Sequence, residues 1–213
     1  MTPTSLHAIP PDVMWSADTL KIARWTTTEG DDWPGRTVLT ILLQGCPWSC
    51  ISCQTPELRD PLVPGTVTWQ QVRDVISRSR SGLDGVVFSG GEPTRQDGLA
   101  DAMEQVRALG LPVGLHTSGS YPQRFAAVLS LADRVVLEIK APATLYRAVT
   151  GVGASAHKAF ASLRLALDSG VDLQVRTLAD RAVVTPEVLV GLRENLAAMG
   201  VKDHVVVEVG HPA

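Results

Sequence analysis

The chain has few cysteines and few aromatic residues, and it has no long apolar run. Its 213 residues include 3 cysteines, and Phe, Trp and Tyr together make up 5% of the sequence. No apolar run approaches ~18 residues, the length that spans a bilayer as a helix. The N-terminus lacks a basic segment followed by an apolar one. We therefore expect neither a membrane-spanning nor a secreted protein.

Charge of one sign is not in excess either. Lys and Arg number 19, Asp and Glu number 22, and the formal net charge is −3 at pH 7. Without a basic excess, non-specific attraction to nucleic acid is not favoured, so no nucleic-acid partner is expected. The chain length and the 45% share of hydrophobic residues suit one globular domain with a sizeable core.

The cysteines are clustered in the segment Cys46-Pro-Trp-Ser-Cys50-Ile-Ser-Cys53. An odd number of closely spaced cysteines does not suit a disulfide framework, and it favours the reducing cytoplasm. Three thiolates can hold three irons of an iron–sulfur cube and leave the fourth iron open to a small ligand. A structural zinc site needs four ligands. The sequence has no fourth cysteine, although one of its histidines could fold back to serve.

The part of the chain after residue 31 alternates β-rich runs with helical patterns. We interpret residues 1–31 as an N-terminal extension and residues 32–213 as the domain. The predicted strands cover residues 37–43, 85–89, 112–116, 134–139, 172–177 and 204–209. The first predicted helix begins at the Thr68–Gln71 capping box. The later predicted helices cover residues 101–109, 122–131, 155–169 and 186–199. This alternation predicts an α/β fold with mainly parallel strands, as a partial (β/α)6 TIM-like barrel or an open doubly wound sheet.

Unusual polar clusters follow the predicted strands. Because function collects at the carboxyl ends of parallel strands, we expect these clusters to meet at one edge of the sheet. In chain order they are the cysteine segment, Gly90-Gly91-Glu92-Pro93, His116-Thr117-Ser118-Gly119, Glu138-Ile139-Lys140 and Arg176-Thr177.

The spacing Cys-x3-Cys-x2-Cys after the first strand, with Gly-Gly-Glu-Pro after the second, resembles the radical S-adenosylmethionine superfamily. The resemblance extends from about Asp32 to the C-terminus. It implies that Cys46, Cys50 and Cys53 are the metal ligands and the catalytic centre, holding a [4Fe–4S] cluster whose fourth iron binds S-adenosylmethionine. It also implies reductive cleavage of S-adenosylmethionine to a 5′-deoxyadenosyl radical, which abstracts a hydrogen atom. The cofactors supply this chemistry and the protein positions them.

The same resemblance implies roles for the polar clusters. Gly90 and Gly91 would bind the methionine amino group, with Glu92 beside them as a structural hydrogen-bonding residue. Lys140 would pair with the methionine carboxylate, and Arg176 would contact that carboxylate or the ribose. The other candidate cofactor-binding residues are His116, Thr117, Glu138 and His211, the last of them near the adenine or ribose.

Within the superfamily, the chain is most similar to the activating proteins of anaerobic ribonucleoside-triphosphate reductase, and pyruvate formate-lyase activating enzymes are close to it. The matching stretches are Asp32-Trp33-Pro34-Gly35, Gln44-Gly45-Cys46, Pro56-Glu57-Leu58, residues 85–94, Lys140-Ala141-Pro142, Tyr146 and Thr150-Gly151. This similarity implies a glycyl radical enzyme as the protein substrate and a flavodoxin or ferredoxin as the electron donor.

Three positions depart from the activase pattern. Ser52 replaces an aromatic residue, Gln54-Thr55 replaces His-Asn, and His116 replaces an Asp that helps to bind a monovalent cation. An imidazole is a poor ligand for a hard cation, although Glu138 keeps a carboxylate nearby. Two alternatives remain open. One is a small-molecule enzyme of the 7-carboxy-7-deazaguanine synthase kind, and the other is a non-catalytic iron–sulfur or zinc-binding module.

Overall fold

The fold is a single seven-stranded sheet whose strands lie side by side in chain order. A computed structural model describes residues 15–30 and 32–209. The strands are β1 (Ile22–Glu29), β2 (Thr37–Leu43), β3 (Gly85–Gly90), β4 (Val113–Thr117), β5 (Arg134–Glu138), β6 (Asp172–Asp180) and β7 (His204–Val209). β1 pairs with β2 in antiparallel fashion, and every later pairing is parallel. In the described part of the chain β1 and β7 do not pair, which confirms the predicted partial barrel.

Helices connect the parallel strands and cover the outer face of the sheet. They are α1 (Trp69–Ser79), α2 (Leu99–Ala108), α3 (Pro122–Val128), α4 (Tyr146–Thr150), α5 (Ser155–Ser169) and α6 (Pro186–Ala198). The predicted capping box is present at the start of α1, where the Thr68 hydroxyl and the Gln71 side chain cap each other's backbone N–H groups. Thr185 caps α6 in a similar way by accepting from the Val188 N–H.

Strand β1 was not predicted and lies inside the segment that we interpreted as an extension. Its burial alternates weakly, and Ile22 is its one fully buried residue. Its eight residues include three threonines and two charged side chains but only three apolar residues, so the sequence carries little apolar signal. The sheet therefore has seven strands rather than six, and it begins at residue 22.

The main core lies between the sheet and the helices. Apolar side chains on one face of each helix are buried there, as Ile76 of α1, Met103 of α2 and Leu163 of α5 show. A second small cluster, formed by Trp33, Val38 and Val87, fills the inner face near the amino ends of the strands. The inner face is therefore packed at one end and can form a cavity at the other.

No helix in the described ranges combines the length and the apolar character needed to cross a bilayer.

Candidate active site

The cysteine loop follows β2 and is held at both of its ends by backbone hydrogen bonds. In its first half, the Cys46 N–H donates to the Arg59 carbonyl (2.9 Å), just after the short 3-10 turn Pro56–Leu58. In its second half, the Ile51 N–H donates to the Val149 carbonyl of α4 (3.0 Å). The loop is therefore positioned by two other segments rather than by its own secondary structure.

All three cysteine thiols line one cavity of about 240 Å³ at the carboxyl ends of the strands, and none forms a disulfide. Burial raises the pKa of the Cys46 thiol to about 12, and burial also raises the pKa of Cys50. Without a metal these thiols are therefore neutral at physiological pH, and metal binding would displace their protons.

The arrangement of the thiols fits a cluster better than a single ion. Within residues 15–30 and 32–209, no three Cys, His, Asp or Glu side chains converge as a metal-ion site requires. A tetrahedral zinc ion needs four ligands that converge on one point. A [4Fe–4S] cluster offers a separate iron to each thiolate, so three sulfurs can surround a cavity without converging.

The two glycines after β3 allow the backbone to pack tightly beside the cysteine loop. Gly90 has a φ of +108°, and a Cβ at this position would overlap the backbone of Leu43. A Cβ on Gly91 would lie 2.5 Å from the Gly45 carbonyl oxygen. The Gly91 N–H donates to the Leu43 carbonyl (2.8 Å). Both glycines line the cavity, so the same packing exposes their backbone to a ligand.

Glu92 ties this glycine loop to the loop that follows β4. The side chain is fully buried. Its Oε1 accepts from the Thr117 hydroxyl (2.6 Å) and from the Thr94 N–H (3.0 Å), while its Oε2 accepts from the Ser118 N–H (2.8 Å). Through these contacts one buried carboxylate joins the two loops.

A chain of charged side chains crosses the carboxyl ends of β4, β5 and β6. The Glu138 carboxylate contacts the Lys140 ammonium and lies 3.1 Å from His116 Nε2. On its other side, His116 Nδ1 lies 3.8 Å from Asp32 Oδ1, which is also 3.8 Å from Arg176 Nη1. Positive and basic groups thus alternate with the two carboxylates across the cavity.

Lys140 and Glu138 hold each other in their charged forms. Burial by itself would raise the pKa of Glu138, but the Lys140 ammonium and then His116 lower it well below its usual range. Burial would likewise lower the pKa of Lys140, but Glu138 keeps it well above its usual range. The Lys140 charge also lowers the pKa of Cys50 against the larger effect of burial, which places the ammonium close to the cysteines. An ammonium has three donors, so Lys140 can bind a ligand carboxylate while it pairs with Glu138.

Trp48 forms an aromatic wall of the cavity that the sequence analysis did not assign. Its side chain is almost fully buried, and its ring meets the Tyr146 ring edge-on at 5.9 Å. The Tyr146 hydroxyl in turn accepts from the Lys140 N–H (3.2 Å). Trp48 lies two residues after the first cysteine, whereas the activase pattern has its aromatic at the buried Ser52.

The structure brings the predicted site residues together at one end of the sheet. All of them except Glu92 and His211 line the cavity. Glu92 lies behind it in the contacts described above, and His211 is outside the described residues. Besides Trp48, the sequence analysis missed Arg59 and Ser89 as cavity residues. The sequence analysis placed Asp32 only in a stretch that matches the activases.

Fold and site together define a partial α/β barrel with a three-cysteine cavity at the carboxyl ends of its strands. The family model for the Radical SAM superfamily matches residues 40–195. The chain therefore belongs to the radical SAM superfamily, whose members use a [4Fe–4S] cluster and S-adenosylmethionine.

Solved structures share the fold at low sequence identity. SuiB from Streptococcus suis bound to S-adenosylmethionine is 13% identical with a TM-score of 0.61, and the match covers 79% of this chain and 38% of SuiB. SuiB bound to its precursor peptide SuiA is 14% identical with a TM-score of 0.65, and the match covers 81% of this chain and 39% of SuiB. The chain therefore spans about two fifths of the length of SuiB.

QueE from Escherichia coli is a match of similar length. It is 15% identical with a TM-score of 0.52, and the match covers 90% of this chain and 94% of QueE. A sequence search of curated proteins finds no match. At these identities the similarity establishes the fold, and the substrate has to be argued from the site.

Proposed function

We propose that the protein is a radical SAM enzyme that cleaves S-adenosylmethionine reductively and activates a glycyl radical enzyme. The observation that carries this proposal is that three free thiols, a glycine loop and a buried lysine line the same cavity. When bound, the cluster and S-adenosylmethionine supply the electron transfer and the radical that takes one hydrogen atom from a glycine Cα. A reducing, cytoplasmic setting is part of the proposal, because the thiols must stay free to bind iron.

The residues of the chain would bind and orient these groups. Cys46, Cys50 and Cys53 would each ligate one iron as thiolates. The backbone of Gly90 and Gly91 would accept the methionine amino group, and Lys140 would pair with the methionine carboxylate. Trp48 would exclude water from one side of the cavity.

A second cavity, next to the one that the cysteines line, is suited to a polypeptide substrate. It has a volume of about 450 Å³ and lies between the β1–β2 turn and strands β6 and β7, where the sheet is not closed. Gln54, Arg176 and Leu178 line both cavities, so the two are adjacent. On the β7 side the wall is apolar, with Val205 and Val207. A backbone segment could enter by this route and bring a glycine, which has no side chain, close to the site.

The second candidate is a small-molecule enzyme of the 7-carboxy-7-deazaguanine synthase kind. The match with QueE favours it, because it covers nearly the whole of both chains. The two candidates share the cofactors and the cysteine site and differ in what enters the second cavity.

Formation of 5′-deoxyadenosine tests the part of the proposal that both candidates share. Purified protein would be loaded with iron and sulfide, reduced with dithionite and mixed with S-adenosylmethionine, and the product would be measured by liquid chromatography. We expect 5′-deoxyadenosine from the native chain and none from Cys46→Ala, Cys50→Ala or Cys53→Ala. No product from the native chain would contradict the proposal and favour a metal-binding module. Retention of activity in any of the three variants would contradict the assignment of these cysteines as the cluster ligands.

The substrate is tested by adding one candidate at a time to the reduced enzyme. If the chain is an activase, adding an anaerobic ribonucleotide reductase should give a glycyl radical doublet in the electron paramagnetic resonance spectrum. If the chain is of the 7-carboxy-7-deazaguanine synthase kind, addition of the pterin-type substrate of those enzymes should give a deazaguanine product instead. Formation of that product without a glycyl radical would overturn the activase proposal while leaving the shared chemistry intact.

A further inference from the structure

A group of cationic side chains surrounds one tyrosine beside the cysteine loop. The Arg124 guanidinium and the Lys158 ammonium each lie 5.8 Å from the centre of the Tyr121 ring. The Arg124 guanidinium also donates to the Arg95 carbonyl. Arg124 is exposed, and the other three residues are partly exposed. We call this surface, formed by Arg95, Tyr121, Arg124 and Lys158, the basic rim.

The basic rim lies directly next to the first cysteine. A Cβ built on Gly45, the residue before Cys46, would lie 3.2 Å from Arg95 Nη1. Burial raises the pKa of Tyr121, and the charges of Arg95, Glu92 and Arg124 also act on its phenol. The Tyr121 ring therefore lies among these charged side chains, and the Arg95 side chain reaches the residue before Cys46.

The rim carries a local positive excess on a chain whose net charge is −3. Among the described residues, Asp97 is the one acidic side chain in an ion pair with its cations, 2.5 Å from Arg124 Nη2. Three cations and one carboxylate leave an excess of two positive charges. An excess of this kind attracts an acidic partner and orients it during the encounter.

We infer that the basic rim is the docking surface for an acidic one-electron donor protein. The inference rests on the proposed function, because a site that holds a redox cluster needs a reductant. The electron has to reach the cluster from a reductant outside it, and an acidic donor protein is one that a basic surface attracts. In the transfer the donor is oxidised by one electron and the cluster is reduced by one, and no bond forms or breaks.

The chemistry of the rim suits a short-lived encounter. Redox complexes are small and polar, and they depend on charge more than on buried area. Tyr121 adds one amphipathic ring in the middle of the cations, and tyrosines and arginines are enriched where partner proteins bind. Docking here brings the donor to the side of the loop that carries Cys46.

The test uses the cluster-loaded full chain and an acidic, low-potential flavodoxin. Binding of oxidised flavodoxin would be measured by calorimetry, and reduction of the cluster by flavodoxin hydroquinone would be followed by stopped-flow absorbance. We expect Lys158→Glu and Arg124→Glu each to weaken binding and slow reduction by about tenfold at low ionic strength. The differences should largely disappear at high ionic strength, because salt screens exposed charges.

Lys202→Glu is the matched control, since Lys202 is an exposed lysine just before β7, at the amino-end edge of the sheet. It should change binding and reduction by less than about twofold, because its charge is distant from the rim. Reduction by dithionite should be the same in all variants, which shows that their clusters are intact.

Two outcomes would overturn the inference. One is that the rim variants bind flavodoxin as Lys202→Glu does. The other is that a single-stranded RNA oligonucleotide binds more tightly than flavodoxin and loses this binding in the rim variants, which would assign the surface to nucleic acid. Failure of the proposed function is a separate result, namely no 5′-deoxyadenosine with dithionite, and it leaves the binding comparison valid.

Discussion

The buried thiol of Cys46 shows, at the scale of one residue, how the protein suppresses free-thiol chemistry. Burial raises its pKa to about 12, which disfavours the thiolate. Nucleophilic attack requires the thiolate, so the metal-free thiol is unreactive over the physiological pH range. Iron binding reverses this by replacing the proton with a metal.

The first prediction follows from that pKa. In metal-free folded protein, alkylation of Cys46 by iodoacetamide should be slow at neutral pH and should increase with every rise in pH up to about 12. In urea-unfolded protein the rate should be half-maximal near pH ~8.5, the pKa of a free cysteine. Peptide mass spectrometry of timed samples measures both rates. Equal rates in folded and unfolded protein at neutral pH would show that the thiol is not buried.

His116 is the residue where this chain departs most clearly from the activase pattern. Its ring lies between the carboxylates of Asp32 and Glu138, with Nε2 3.1 Å from Glu138 Oε1 and Nδ1 3.8 Å from Asp32 Oδ1. It occupies the place that a cation would need between these oxygens. We therefore expect the native enzyme to respond little to potassium or sodium.

His116→Asp should make the enzyme cation-dependent. The change replaces the imidazole with a third carboxylate beside Asp32 and Glu138, and clustered carboxylates need a cation to balance them. We expect 5′-deoxyadenosine formation to rise by about tenfold when potassium or sodium replaces choline, equivalent to ~1.4 kcal/mol. His116→Asn is the control, because it removes the imidazole without adding charge. An identical cation response in the native enzyme and in both variants would remove this site from the mechanism.

The glycine loop and the cysteine loop act as one unit at the scale of structural elements. Their backbones are hydrogen-bonded directly, through Gly91 N–H to the Leu43 carbonyl (2.8 Å) and Glu92 N–H to the Gly45 carbonyl (2.9 Å). A change that separates the loops should therefore affect cluster retention and S-adenosylmethionine binding together.

Gly91→Ala tests this coupling. The new methyl group would lie 2.5 Å from the Gly45 carbonyl oxygen, so the backbone must shift. We expect a loss of about 1–3 kcal/mol in the free energy of unfolding, measured in urea on metal-free protein. We also expect weaker S-adenosylmethionine binding by the loaded protein. Gly153→Ala is the matched control, since nothing lies within 4 Å of its Cβ position. Equal stability and affinity in the two variants would contradict the coupling.

The bounds of some helices and strands could be predicted from the sequence, and those of others could not. Strand Thr37–Leu43, helix Ser155–Ser169 and strand His204–Val209 have the predicted bounds. Their apolar patterns are strong because these strands pack in the sheet and the helix covers one face. Helix α4 was missed because its five residues, Tyr146–Thr150, are too short to show a period. Strand β1 was missed because it has few apolar residues, whereas β7, also at an edge of the sheet, was recognised from its four valines.

Site residues could be predicted from the sequence where a metal ligand or a tight backbone turn requires one particular residue type. The cysteines and the glycine pair could be assigned because few other residues can replace them. The contact of His116 with Asp32 could not, since it joins residues far apart in sequence that meet only when the β1–β2 turn folds over β4. The position of Trp48 against Tyr146 likewise depends on where α4 packs.

The unclosed sheet determines the access to the site at the scale of the whole molecule. Strand β1 covers the edge of β2, and the second cavity lies between the β1–β2 turn and β6 and β7. Residues before 32 therefore contribute both to the sheet and to the wall of the proposed substrate route. If residues 1–31 were a separable extension, their removal would leave the stability of the remaining domain unchanged.

Removal of residues 1–31 tests this. The truncation deletes β1 and the buried side chains of Ala17, Leu20 and Ile22, and it exposes the edge of β2. We expect a protein that aggregates, because a bare apolar edge strand can pair with another chain. Ile22→Ala in the full chain should by itself lower the free energy of unfolding by about 2–5 kcal/mol in urea denaturation. Thr27→Ala, on the exposed face of the same strand, is the control and should cost less than about 1 kcal/mol. A soluble truncated protein with native stability would show that residues 1–31 are a true extension and that the domain begins at β2.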